Sequence, residues 1–503
     1  MSTLSELLPS GGNQNEVGFV ASGTLPNGKA VILKTNGQVE AVASLKSDGT
    51  VEVIASVGAT QTIGTPTSAA TGANIGDYTD VAYDAYSNKV IAVYEQGNNG
   101  GCSVGTVSGN TISFGTKVVF NSSATSYISV ACDGSTGKVM IVFKSDSSRP
   151  YGIIGVVSGT SISFGTRAMA DTGVTFGNEV VFDSNQNRFV HVYKGNNQGG
   201  PVAIIGTVSG TNTLTYDGKT TIDSDASNAG ALVFDPNSNK VVSIYRDNGV
   251  GKMVVRVGTV TGADAISFGS EVQIDSNNWW QMSASFDSSV NKIVIVGADQ
   301  TGGVLYGVSI VGTVSGSSIS VGSKYTFKSA AITHPAVSYD ITANRHVVSY
   351  INASGVGEIT VGTLTGTALS WTTSTINFTG DTSTSGYTAS TYDPDNSRVV
   401  TWYRRQTDGT TIGLGTGVTF QTGWSSTNLT STNFIGITAE AIASGASGDI
   451  VLKGGISTNQ TSLTIGSDYY VQSDGTVSTV TTSPAVKAGT AISATTLNLM
   501  DQL

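Results

Sequence analysis

Apolar and polar residues alternate with a period of two through many short stretches of this chain. In residues 112–120, Ile112, Phe114, Val118 and Phe120 fall on one side, and Ile266, Phe268, Val272 and Ile274 repeat the pattern. Such alternation predicts half-buried strands. Between them lie apolar runs rich in Val, Ile and Tyr, and glycine-containing steps separate the runs, as expected of strands joined by tight turns. The ten-mer "VSGTSISFGT" at 157–166 is nearly repeated from Val107 and Val314 and in part from Ala265, and its Ser-Gly step predicts a hairpin. No long amphipathic helix pattern is present; "TLSELL" near the start suits a turn or two of helix.

A longer period organises these strands. An aspartate closes a strand at Asp84, Asp133, Asp183, Asp235, Asp287, Asp340 and Asp393, at intervals of 49 to 53 residues. Five residues after each stands a base: Lys89, Lys138, Arg188, Lys240, Lys292, Arg345 and Arg398. Ten residues after it stands a ring, in Tyr94, Phe143, Tyr193, Tyr245, Tyr350 and Tyr403, with Gly297 the exception. Two residues before it the side chain is small or β-branched: Ala82, Ala131, Val181, Val233, Ser285, Ser338 and Thr391. Each unit reads as four strands, the first ending at the aspartate and the fourth being the ten-mer. Small residues suit an innermost strand of a radial array, where space narrows toward the axis. Four strands in about fifty residues is the size of a β-propeller blade. The expected fold is therefore all-β, a seven-bladed β-propeller flanked by small N- and C-terminal β modules.

The seventh unit lacks its own ten-mer, and an orphan copy, "QTIGTPTSAA" at 61–70, precedes the first unit. It is expected to supply the missing outer strand of the last blade and so close the ring. The expected division is 1–57 as an N-terminal docking module, 58–420 as the propeller and 421–503 as a C-terminal module. The flanks resemble each other, "NEVGFVASGTLPNGKAVILKTNGQ" before the ring and "NFIGITAEAIASGASGDIVLKGGI" after it. Asn36-Gly37, Asp48-Gly49 and Asp474-Gly475 mark hairpins in them. Whether they build one domain or two stays open at this level.

The 503 residues include 63 Gly, 9 Pro and 12% charged residues, with a formal net charge of −10. That charge argues against nucleic acid as a partner, because phosphate binding needs clustered Lys and Arg, and against an anionic membrane surface. The first residues lack the basic and apolar regions of a signal peptide, and no run approaches the ~18 apolar residues of a membrane span. Cys102 and Cys132 lie in strand-like runs and are expected to behave as small hydrophobes.

The aspartate-plus-five-base signature admits two readings. Asp183, Asn185 and Asn187, like Asp235, Asn237 and Asn239, place oxygens at the alternate positions of a calcium loop. A base follows where such a loop needs glycine, and no glutamate closes it. The favoured reading is a turn in which the aspartate accepts backbone N–H bonds and the base offsets its charge across the hairpin. No Asp-box of the sialidase type is found, and His191, His334 and His346 are scattered, so neither catalysis nor a metal or cofactor is expected. Trp279 and Trp280 are the candidate ligand contacts: adjacent in a strand, they point to opposite faces, and an exposed indole suits sugar or protein contact.

Units reading "DPNSNKVVSIYRDN" with later "VGTVTG" and "ISFGS" resemble repeats in virion proteins of marine bacteriophages such as cyanophages, particularly tail and fibre proteins. The "SLTIGSDYYVQSDGTVSTV" and "AGTAISATTLNL" stretches near the end are similar to modules of such proteins. The resemblance implies a virion component, assembled in the host cytoplasm, with other tail or capsid proteins as partners in a symmetric oligomer. It does not say which component; the expected role within that class is host attachment through a surface glycan or outer-membrane receptor, or else a passive nozzle, collar or decoration role. A carbohydrate-binding propeller lectin and a glycan-cleaving enzyme are the competing classes. Neither nucleic-acid binding nor membrane insertion is expected.

Overall fold

The computed structural model describes residues 15–34, 37–42, 67–68, 75–108, 111–195, 199–224, 226–249, 251–262, 265–341, 343–372, 375–378, 386–406, 413–420, 429–430, 432–472, 475–481 and 485–499. Among these residues every regular element is a strand, and every ladder between strands is antiparallel. The chain divides into two compact units, Val51–Gly423 and the combined flanks Met1–Thr50 with Trp424–Leu503.

Within Val51–Gly423 the repeat translates into a repeated sheet. The second unit is typical: Ser126–Asp133 pairs with Lys138–Lys144, which pairs with Pro150–Ser158, which pairs with Ser161–Phe164. The second strand is apolar throughout because both its faces are covered, Val139 to Phe143 being fully buried. The fourth alternates between exposed and buried residues, as its period of two predicts. Each first strand packs on the first strand of the next unit, and the last of them, Gly386–Asp393, packs on the earliest, Ile75–Asp84. Tyr325–Asp340 serves two units, pairing first with Val304–Ser315 and then with Arg345–Asn352.

The displaced ten-mer at 61–70 lies mostly outside the described residues. Its Thr67–Ser68 pairs with Gly417 and Thr416 of Gly413–Phe420, adding a fourth strand to the last sheet. At the same junction the Trp402 indole stacks on Tyr94 at 5.6 Å, meets Phe114 at 5.4 Å and donates to Thr79 Oγ1.

The aspartates end their strands as expected, each paired in register with the base five residues on. Their carboxylates accept backbone N–H groups of the turn: Asp183 from Asn185 and Gln186 at 3.0 and 2.9 Å, Asp235 from Asn237 and Ser238 at 3.0 and 3.1 Å. The loop geometry is thus that of an Asx-type turn. Several of the bases donate to groups other than the turn's aspartate. Arg188 and Arg345 donate to turn carbonyls, and Lys240 and Lys292 donate to Thr259 and Thr313 on the third strand. Between aspartate and base sits a residue in the left-handed region: Asn88, Gly137, Asn187, Asn239, Asn291, Asn344 or Ser397. Asparagine and glycine tolerate that conformation best, which explains their use there.

In the combined flanks, strands from the two ends of the chain share one sheet, with the pair from the C-terminal flank set between strands of the N-terminal one. Its order is Glu16–Val20, Ser447–Leu452, Phe434–Thr438, Ala30–Leu33, Val39–Ala41. Similar sequences therefore pair reciprocally, the first strand of each flank with the second of the other. Leu25 and Ile442 exchange two backbone hydrogen bonds of 2.8 Å midway between them. A second sheet, built from Ile456–Ser457, Asp468–Val471, Val477–Ser478, Lys487–Ala491 and Leu497–Leu499, shares a core with the first through Ile32, Phe434, Tyr469 and Leu497. The hairpin positions Asn36, Asp48, Gly49 and Asp474 lie outside the described residues.

Candidate functional site

The first strand of most units is broken near its start by a register shift. At each of these five breaks the residue six before the aspartate has positive φ: Tyr127 at 50°, Gly177 at 72°, Gln281 at 50°, His334 at 51° and Tyr387 at 53°. A bulge re-aims side chains, and a bulky residue at positive φ costs of order 1–3 kcal/mol and clusters at functional positions. Here it gathers rings. Tyr78 lies 4.3 Å from Tyr127 and 6.2 Å from Tyr387, Tyr127 lies 6.3 Å from Phe176, and Tyr387 lies 3.8 Å from His334, centroid to centroid. Gln281 fixes the histidine, its Oε1 accepting the His334 backbone N–H at 2.9 Å and its amide meeting Nε2 at 2.8 Å. Burial, then the nearby Arg404, pushes His334 down to about 4, so its ring is neutral at pH 7.

Cations interleave with these rings. The residue eleven after the aspartate is basic in four units, Lys144, Lys194, Arg246 and Arg404, and it stands across the ladder from the bulge. Lys144 Nζ lies 5.5 Å from the Tyr127 ring and 4.8 Å from the Phe176 ring of the next unit. Arg404 lies 5.7 Å from Tyr387, and Arg246 lies 5.2 Å from Trp280 of the next unit. Acids share this rim: Asp77 is paired with Arg404, and Glu95 is pushed up to about 7 by burial and then by Asp77.

Below the rim, all seven first strands line a cavity of about 330 Å³. Polar groups four residues before the aspartates bridge successive strands. Asp80 Oδ2 accepts the Val130 N–H at 2.9 Å, Ser129 Oγ accepts the Val180 N–H at 3.3 Å, and Ser283 Oγ accepts the Val337 N–H at 3.2 Å. Burial raises Asp80 to about 6, and burial with repulsion from Asp80 raises Glu179 to about 8. The folded protein therefore holds a proton on Glu179 that the unfolded chain releases near 4.5. Stability from this group is complete below that value and is lost as pH rises through about 8. Glu179→Gln is expected to flatten the fall in urea-unfolding stability between pH 5 and pH 9; an unchanged pH profile would contradict the buried-carboxyl assignment.

The candidate tryptophans separate as adjacent strand residues should. Trp280 is 45% exposed and donates its indole N–H to Gln300 Oε1 at 3.0 Å. Trp279 is buried and fills the place left by Gly297: a Cβ on that glycine would sit 2.6 Å from the indole. Its N–H donates to Asp275 Oδ2 at 2.7 Å, beside Lys324. That is the part played elsewhere by the tyrosine ten residues after the aspartate, with Tyr193 bonded to Asp171 and Tyr350 to Glu358. The acids Asp223, Asp247 and Glu271 lie close together, but Arg256 stands 3.6 Å from Asp223 and 3.8 Å from Glu271, and Tyr245 donates to both. This cluster is another such tyrosine–acid–base knot. His191 is buried between Asn178 and Tyr216, and His346 bonds Asp287 of the preceding unit at 3.0 Å. Both cysteines are free thiols that burial pushes up.

Neither the rings six residues before the aspartates nor the bases eleven after were singled out from the sequence. The signal was present in Tyr78, Tyr127 and Tyr387 at one offset and in Lys144, Lys194, Arg246 and Arg404 at another.

No protein-family model matches this chain, and no curated protein does. Among solved structures it is similar to a Lactobacillus plantarum protein (13% identity, TM-score 0.45, covering 72% of this chain and 95% of that one). It is also similar to the Dos1 propeller (11%, TM-score 0.44, 82% and 95%) and to AofleA from Arthrobotrys oligospora (10%, TM-score 0.40, 61% and 89%).

Proposed function

We propose that residues 58–420 form a seven-bladed β-propeller and that the chain is a tail or fibre component of a bacteriophage virion acting in host attachment, with the combined flanks as its docking module. The run of first strands, each packed on the next and the last on the earliest, supports the blade count. The rim of half-buried rings and cations carries the attachment reading, because it offers contact area on strands rather than on loops. The repeat resemblance to phage tail proteins supplies the setting, and the Asx turns supply a rigid frame.

Immunogold labelling of purified particles with antibody to this chain tests the assignment. Labelling at the tail is expected, and particles free of the chain would overturn it. Image averages of the isolated protein are expected to show seven spokes; any other number would overturn the blade count.

A further inference from the structure

We infer that the ring-and-cation arc at the strand-start rim is a binding site for an acidic saccharide chain, such as a uronate polymer. The inference rests on the attachment reading and names the chemistry of what is bound. Three features of the arc converge on it. Tyr387, Tyr78, Tyr127 and Phe176 form a continuous series of half-buried rings, and the 45%-exposed Trp280 lies on the same rim. Aromatic faces of this kind present an apolar body for the flat C–H face of a pyranose. Lys144, Arg246 and Arg404 lie within 6 Å of ring centroids, so a carboxylate on a stacked sugar falls within reach of a charge-assisted hydrogen bond. Lys144, Lys194, Arg246 and Arg404 thus bring four bases to one rim of a chain whose net charge is −10, with Asp77, Glu95 and Asp247 among them.

The backbone carries the third feature. Tyr127, Gln281, His334 and Tyr387 hold the left-handed conformation at a position where the third unit uses Gly177. Glycine relieves that strain, so retaining large side chains there sets recognition against stability. Their mutual contacts offset part of that strain, and recognition by the side chains offsets the rest. Single-stranded nucleic acid is the other polymer that stacks on rings beside cations, so oligo-dT is set against the saccharide in the test.

Binding is measured by calorimetry and Trp280 fluorescence on the full chain, with oligogalacturonate, its neutral methyl ester and oligo-dT as probes. Oligogalacturonate is expected to bind at least tenfold more tightly than the ester. Tyr127→Gly and Tyr387→Gly are expected to weaken it at least tenfold with no fall in thermal midpoint, and Lys144→Met to erase the preference for acid. Binding unaffected by these variants, preference for oligo-dT, or no binding of any probe would overturn the site. Attachment is read separately, from adsorption of the labelled chain to host cells. Adsorption that persists in the Tyr127→Gly and Tyr387→Gly variants overturns the rim and spares the attachment reading. Oligogalacturonate binding without adsorption supports the rim and removes the attachment reading.

Discussion

Gly269→Ala is expected to destabilise the Val51–Gly423 unit by about 3 kcal/mol or more, since overpacking against backbone has no soft route of relief. The alanine Cβ would stand 1.9 Å from the carbonyl oxygen of Ser317, which belongs to the hairpin of the next unit. Gly115 meets Thr160 in the same way at 1.9 Å, and Gly165 meets Asn212 at 2.2 Å. The glycine that ends each "ISFG" is thus the socket for the neighbouring unit's turn. Gly316→Ala is the matched control. Gly316 has open space around it and a φ of 59°, so alanine there costs only the left-handed penalty of roughly 1–2 kcal/mol. Urea unfolding of the two variants measures the difference. Equal losses would show that the socket does not bear on stability.

Trp279→Ala is expected to cost about 3–5 kcal/mol, the range for emptying a buried indole site. Gly297→Tyr alone is expected to be as damaging, because the new ring meets the indole. The double variant Trp279→Ala with Gly297→Tyr restores the arrangement of the other units, a ring ten residues after the aspartate and a polar tip beside Asp275. Its stability is expected to return to within about 1–2 kcal/mol of the parent, a large favourable coupling in a double-mutant cycle. Additive losses in that cycle would mean that Trp279 does not substitute for the missing ring. Trp280→Ala serves as the exposed counterpart and is expected to leave stability nearly unchanged, as for other surface positions.

Much of this was legible along the chain. The strands, their ends and their turns depend on local chemistry: alternation, a carboxylate that accepts the next N–H groups, a residue that tolerates positive φ, a base in register opposite. The exception at Gly297 was visible as a gap, though not what fills it. Trp279 lies eighteen residues earlier and reaches the gap because its strand pairs with that of Gly297. The bases stand in register opposite their aspartates, yet the named hydrogen bonds of Lys240 and Lys292 run sideways to the third strand. A one-dimensional pattern shows that two charges are near and does not show which acceptor a flexible stem meets first.

By itself the sequence determined an all-β chain of repeated four-stranded units, because each unit is written in contacts spanning a few tens of residues. Tertiary structure decided three things that no unit contains. It interleaved the two flanks into one sheet, since backbone pairing joins Glu16–Val20 to Ser447–Leu452 across the whole chain. It turned the glycine of the ten-mer into a socket for the next unit's turn. And it drew Tyr78, Tyr127, Phe176 and Tyr387 into one arc, because strand starts far apart in sequence converge where the units meet and the bulges turn their side chains toward one another.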